Sequence, residues 1–145
     1  MSKIVSYRGM MADGEIETIP LATNNGLTGY RIVKFRIMPE EPGILSTEAV
    51  VKIYKTPQTA ATLKIDFSDN RLLAAGFFRS NASAAFATDE VVIFDSEIFN
   101  QDIHVTMQDT ENNPMNYYIE LEQMKLDLNE QTVATLKDIR NVGAE

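Results

Sequence analysis

Apolar and polar side chains alternate along most of this chain, and a period of two is the signature of half-buried strands. The pattern is clearest in Tyr30–Met38, where Val33, Phe35 and Ile37 share one face and Lys34 and Arg36 the other. PEEPG, Pro39 to Gly43, stops that strand, because proline cannot donate to a ladder. Val50–Thr56 reads as another strand, ended by Pro57. In TLKIDFSDN the same rule turns Leu63, Ile65 and Phe67 inward, and Ser68, Asp69 and Asn70 supply turn chemistry. Asp102–Asp109 alternates through Ile103, Val105 and Met107. NYYIELEQMKLDLNE sets Tyr117, Ile119 and Leu121 against Tyr118, Glu120 and Glu122. Beyond Gln123 the apolar positions become Met124, Leu126 and Leu128. A one-residue bulge, or a strand crossing between sheets, would cause that change of phase.

Other stretches are less regular. A strand can start at Lys3, and Glu15–Leu21 alternates with Ile16 and Ile19 out of phase. ATNNGLTG, Ala22 to Gly29, and TENNP are turns by composition. RLLAAGFFRS fits either a short helix capped by Asp69 or Asn70 or a buried strand, and Gly76 weakens both. Ser80–Asp89 is small and polar and reads as a loop. Glu90–Phe99 is β-branched and aromatic, with a turn or bulge near Asp95 and Ser96. In NEQTVATLKDIRN, Asn129 can cap a helix on which Val133, Leu136 and Ile139 or Arg140 recur at helical spacing. At about three turns that helix must dock to be stable. The sum is about seven to nine short strands, which predicts a mainly β fold: one antiparallel β-sandwich or jelly roll over residues 1–145, with a short C-terminal helix. A Rossmann or TIM architecture would need a βαβ alternation that is missing here.

Composition narrows the partners. With 13 basic and 21 acidic residues the formal charge is −8, a field that repels nucleic acid and anionic membrane. Neither is expected as a partner. The absence of cysteine rules out disulfides and thiolate metal sites and fits synthesis in a reducing cytosol. MSKIVSYRGMMADGE lacks the apolar run of a signal peptide, and no stretch is long enough to span a bilayer.

Candidate chemistry is thin. His104 is the single histidine, on the outward face of its strand, with Asp66 or Asp102 as conceivable partners. One histidine and no cysteine do not make a zinc site. DFSDN and DTEN place Asp66, Asp69, Asn70, Asp109, Glu111 and Asn112 in turns, but neither matches the calcium loop. Glu120 and Glu122 share a strand face at ~6.6 Å, which invites a glycosidase reading. The plainer reading is a solvated face whose carboxylates pair with Lys34, Lys52 or Lys64. NNGLTG is not a phosphate loop. No catalytic, cofactor or metal residue is assigned, and none of these chemistries is expected. The candidate interface residues are Phe77, Phe78, Tyr118, Leu136 and Ile139, apolar anchors whose ordinary alternative is core filling. Met10 and Met11 carry the same two readings.

IFDSEIFNQDIHVT, NYYIELEQMKLDLNE and TVATLKDIRN, with weaker echoes in TGYRIVKFRIMP and IDFSDNRLLAAG, resemble small virion proteins of marine tailed bacteriophages. The resemblance runs from about Gly29 onward and brings no catalytic residues with it. It implies a virion protein made in the host cytoplasm, with the major capsid protein or tail proteins as partners. Such a chain is expected to be a homo-oligomer or lattice-bound. Capsid decoration leads the expected roles, a tail ring, adaptor or fibre-attached module follows, and a glycan-binding β-domain comes last. A glycan site would be lined by Tyr30, Tyr54, Tyr117 or Tyr118 beside Glu120 and Glu122.

Overall fold

The computed structural model describes residues 2–41, 47–80 and 88–142. Among them the chain forms eight strands and one helix: β1 (Lys3–Met11), β2 (Ile16–Ile19), β3 (Thr28–Pro39), β4 (Thr47–Tyr54), β5 (Leu72–Ser80), β6 (Thr88–Phe94), β7 (Ile103–Asp109), β8 (Met115–Lys125) and α1 (Leu128–Val142). Two antiparallel sheets, β1-β8-β3 and β2-β7-β4-β5-β6, pack as a sandwich, the expected class. Their inner faces meet in one core. Phe35, Ile37, Ile119 and Leu121 come from the smaller sheet, and Val51, Ile53, Val105 and Met107 from the larger.

Register explains which half of each alternation is buried. On β8, Tyr117, Ile119 and Leu121 pair with Ile37, Phe35 and Ile32 of β3 on one side and with Gly9, Tyr7 and Val5 of β1 on the other. All these positions face inward together. One expected inward residue is displaced: the β3–β8 register shifts between Ile32 and Lys34. Val33 is the extra residue of that bulge, and Ile32 takes its place in the core beside Phe35. The ambiguous RLLAAGFFRS is a strand. Gly76 suits it, because a Cβ there would lie 3.1 Å from Ile37 Cδ1 and 3.2 Å from Phe35 Cε2. The two sheets approach closely at this point.

Three expectations fail, each for a physical reason. Leu63, Ile65 and Phe67 do not form a strand; they are exposed, and Phe67 most of all at 65%. Both flanks of β4 are already taken by β5 and β7. The intervening segment lies instead against the outer side of β4, where Lys52 Nζ donates to Thr62 Oγ1 at 2.9 Å and to the Lys64 carbonyl at 2.6 Å. Second, β8 neither bulges nor changes sheets. It ends at Lys125, and Leu126 then folds back over Gly29, its N–H donating to the Leu27 carbonyl at 2.8 Å. Third, the helix is capped by Asp127, not Asn129. Asp127 Oδ1 accepts from the Glu130 N–H at 2.8 Å, and Glu130 Oε1 accepts from the Asp127 N–H at 3.0 Å, a reciprocal capping box.

Elsewhere the boundaries move a little. β6 stops at Phe94, just before the turn expected at Asp95 and Ser96, where Asp95 Oδ1 accepts from the Glu97 N–H at 3.1 Å. Phe99 then exchanges two backbone hydrogen bonds with Tyr30, at 2.8 and 2.9 Å. The predicted loop Ser80–Asp89 falls mostly on residues 81–87, and part of PEEPG on residues 42 and 43, outside the described residues.

Candidate functional site

His104 stands opposite Thr18 on the outer face of the larger sheet, yet it is only 8% exposed. Its Nδ1 lies 2.9 Å from Thr18 Oγ1. Burial holds the imidazole below its ordinary value, and the charge of Asp102 offsets part of that effect. Asp102 turns its Oδ1 elsewhere, accepting the N–H groups of Leu21 and Ala22 at 2.8 and 2.9 Å. Asp66 is occupied within its own turn by the Ser68 hydroxyl and N–H. No His–Asp hydrogen bond forms among the described residues. The contact between the imidazole and the Thr18 hydroxyl links β7 to β2.

The oxygen-rich turns are likewise internally engaged. Arg71 grips Asp69 through Nε and Nη2, both at 2.9 Å, and this holds the carboxyl below its usual range. The buried Asp109 accepts three backbone N–H groups, from Glu48, Glu111 and Asn113. Among the described residues no group of three or more His, Asp or Glu is placed to hold a metal ion. Lys52, buried on the face that Thr62 and Lys64 cover, is pushed below its ordinary value by burial, with Asp69 pulling the other way.

Glu120 and Glu122 project from the outer face of the smaller sheet, the flat side of β8. Glu122 Oε1 accepts from Arg31 Nε of β3 at 2.5 Å, and this keeps its pKa low. Glu120 stands in register with Lys34 and accepts the Tyr118 hydroxyl at 2.7 Å. Lys34 Nζ lies 5.9 Å from the centre of the Tyr118 ring. Of the three lysines considered as partners, Lys34 is the one opposite Glu120; Lys52 lies on the other sheet. Of the four tyrosines, Tyr30 and Tyr117 are in the core and Tyr54 is on the larger sheet. Tyr118 is thus the tyrosine that stands beside Glu120 on this face, and no cleft lined by all four is assembled.

The five candidate anchors are dispersed. Phe78 fills the core, as does Met11. Phe77, its neighbour on β5, points to the opposite face and is half-buried. Tyr118 lies across the molecule on the smaller sheet, and Leu136 is exposed on α1. The side chain of Ile139 lies outside the described residues. Met10, named beside Met11 as a possible anchor, is exposed; what sequence reasoning missed is a further set of apolar side chains left on the outside, Ile4 and Met38 on the smaller sheet and Val91 and Ile93 on β6. Val91 and Ile93 alternate with Val92, so their exposure was readable from the period once the inner face was known.

A further surface lies where α1 meets the sandwich. Asn100 is buried beside the start of α1, and its Nδ2 donates to the Gly26 carbonyl at 3.1 Å and to Thr135 Oγ1 at 3.0 Å. Ala134 is buried in the same seam, while Val133 and Leu136 stay exposed. A hollow of about 620 Å³ opens between the helix and the chain after β6, lined by Ser96, Ile98, Leu126, Asn129, Val133 and Ala134. No family model and no curated protein matches this chain.

Proposed function

We propose that this chain is a non-enzymatic structural protein of a bacteriophage virion, a decoration protein that binds the outer capsid shell and braces neighbouring capsid proteins. The observation that carries the reading is spatial. IFDSEIFNQDIHVT, NYYIELEQMKLDLNE and TVATLKDIRN, which carry the resemblance to phage virion proteins, meet around α1 through the Asn100–Thr135 bond and the hollow between Ile98 and Val133. Ile98, Val133 and Leu136 leave apolar area exposed there. A modest contact of this kind is enough on a lattice, because many copies bind together and weak contacts become strong by multivalency. A net charge of −8 keeps the free outer surface repelling DNA and other particles.

Copy number in purified particles tests the proposal. Quantitative mass spectrometry against the major capsid protein should give hundreds of copies, and cryo-electron microscopy should place them over the shell. Tens of copies, confined to one vertex in a multiple of six or three, would overturn decoration in favour of a tail component.

A further inference from the structure

Every open sheet edge presents unpaired N–H and C=O groups that template pairing with another strand, and proteins guard such edges. Two of the four edges here are guarded, β2 and β3. β2 has only four residues. β3 is bulged at Val33, ends in Pro39, and has its Ile37 N–H taken by Glu90 Oε2 at 2.9 Å and its Tyr30 backbone taken by Phe99. β6 has seven residues, and its Glu90 carboxylate is taken up by Arg36 and by the Ile37 N–H of β3. β1 is the longer of the two edges that remain, and its charges, Lys3 and Arg8, are both positive. Its nine residues hold an unbroken register on β8, from Lys3 opposite Gln123 to Met11 opposite Met115, without proline or bulge. Among the described residues β1 pairs with no other strand.

The side chains of β1 also match a particular occupant. On its outward face stand Ile4, Ser6, Arg8 and Met10, with Ile4 56% and Met10 51% exposed. We infer that β1 is a homodimer seam, at which two copies of this chain pair antiparallel about a two-fold axis at Tyr7. Full overlap of Lys3–Met11 sets Tyr7 opposite Tyr7 of the second copy. Ile4 then faces the second copy's Met10, and Met10 faces its Ile4. Arg8 faces Ser6 and Lys3 faces Met11, so no like charges stand directly opposed. From Ile4 to Met10 the outward positions run apolar, polar, polar, apolar from either end, the self-complementarity an isologous interface requires. Pairing joins the two smaller sheets into one of six strands and sets the exposed Ile4 of each copy beside the Met10 of the other. This inference holds for the free protein and does not rest on the virion reading.

The test uses the full chain. Analytical ultracentrifugation should give twice the monomer mass for the wild type and a single monomer mass for the double variant Ile4→Lys/Met10→Lys. Circular dichroism and thermal melting of that variant report whether the sandwich is intact. Register is read separately by oxidation, since the natural chain has no cysteine. The double variant Ser6→Cys/Arg8→Cys should cross-link into a covalent dimer, while Ser6→Cys and Arg8→Cys alone should not. A wild type that stays monomeric at its highest soluble concentration overturns the seam, as does a dimer that the paired cysteines fail to cross-link. A single-cysteine variant that cross-links as well as the double overturns the Tyr7-centred register.

Discussion

The Tyr117 hydroxyl of β8 donates to Glu17 Oε1 of β2 at 2.6 Å, a hydrogen bond that ties the two sheets together through the core. Tyr117 lies against Gly9 of β1, where a Cβ would stand 3.1 Å from its ring and hydroxyl, so the ring has little room to find another partner. Burial, and then the bond to Glu17, raise the phenol above its ordinary 10.0.

Tyr117→Phe should therefore lower stability by about 1.5–3 kcal/mol, the scale of a lost hydrogen bond to a charged group. Glu17→Gln, which keeps an acceptor, should lose less. The sign at high pH follows from linkage: a phenol raised in the folded state ionises first in the unfolded chain. Stability is then present below pH 10.0 and is lost as pH rises through the folded value. Urea melts from pH 8 upward should show a shallower decline for Tyr117→Phe. An identical decline would remove Tyr117 from the account.

Gly29 and Leu126 form a second tight contact. A Cβ at Gly29 would lie 2.7 Å from Leu126 Cδ2 and 2.9 Å from its Cγ. Gly29→Ala should cost about 1–3 kcal/mol by overpacking. The penalty should shrink when Leu126→Ala is added, and a double-mutant cycle would read a coupling of about 0.5 kcal/mol or more. Strictly additive effects would mean that Leu126 moves aside freely.

This contact also marks where the sequence stops being legible. The two-residue period located the strands because each has one face in the core, as at Phe35 and Ile119. It could not say that Leu126 leaves the sheet, since a bulge in β8 and a turn after it produce the same change of phase. Nor could it reject Leu63–Phe67, which alternates as well as any true strand; its place beside β4 was taken by Leu72–Ser80. Asp127 was hidden as the cap because Asn129 has the same chemistry two residues later. The candidate interface was least legible. Phe77 and Phe78 are adjacent in sequence yet lie on opposite sides of a sheet, and only register tells which one is inside. His104 was placed correctly on the outer face, but it is largely buried there, and period alone cannot see how deep an outer position lies.

His104 carries a pH prediction. Its folded value lies below the ordinary 6.5, chiefly because of burial. The unfolded chain therefore takes up the proton first, and stability is lost as pH falls from 6.5 through the folded value. His104→Gln should flatten the stability profile between about pH 6.5 and the carboxylate range near 4.5 while leaving the acid loss below it. Chemical melts at half-unit pH steps would show it. A His104→Gln profile parallel to the wild type across that window would contradict the assignment.

Asn100 is the hinge pin of the helix. With its Nδ2 bonded to Gly26 and Thr135, Asn100→Ala should release α1 while the sandwich persists. Amide exchange of residues 128–142 should quicken by an order of magnitude or more, equivalent to about 1–2 kcal/mol of local opening. Exchange in β8 should not change. Equal acceleration in β8 would show that helix and sandwich open as one unit.

The outward side of α1 separates stability from docking. Val133 and Leu136 are 52% and 54% exposed, so they contribute little to the core that Ala134 and Leu126 help to fill. Val133→Gln/Leu136→Gln keeps good helix formers on the surface, and the melting profile should stay within about 0.5 kcal/mol of the wild type. Occupancy on particles should nevertheless fall, because every copy loses the same apolar contact and a multivalent lattice amplifies that loss. Ile4→Lys/Met10→Lys supplies the contrast, since it alters the β1 edge and leaves α1 untouched. Particles that bind the glutamine variant as well as the wild type would show that the helix face is not the docking surface. Loss with the β1 variant alone would place attachment at the sheet edge.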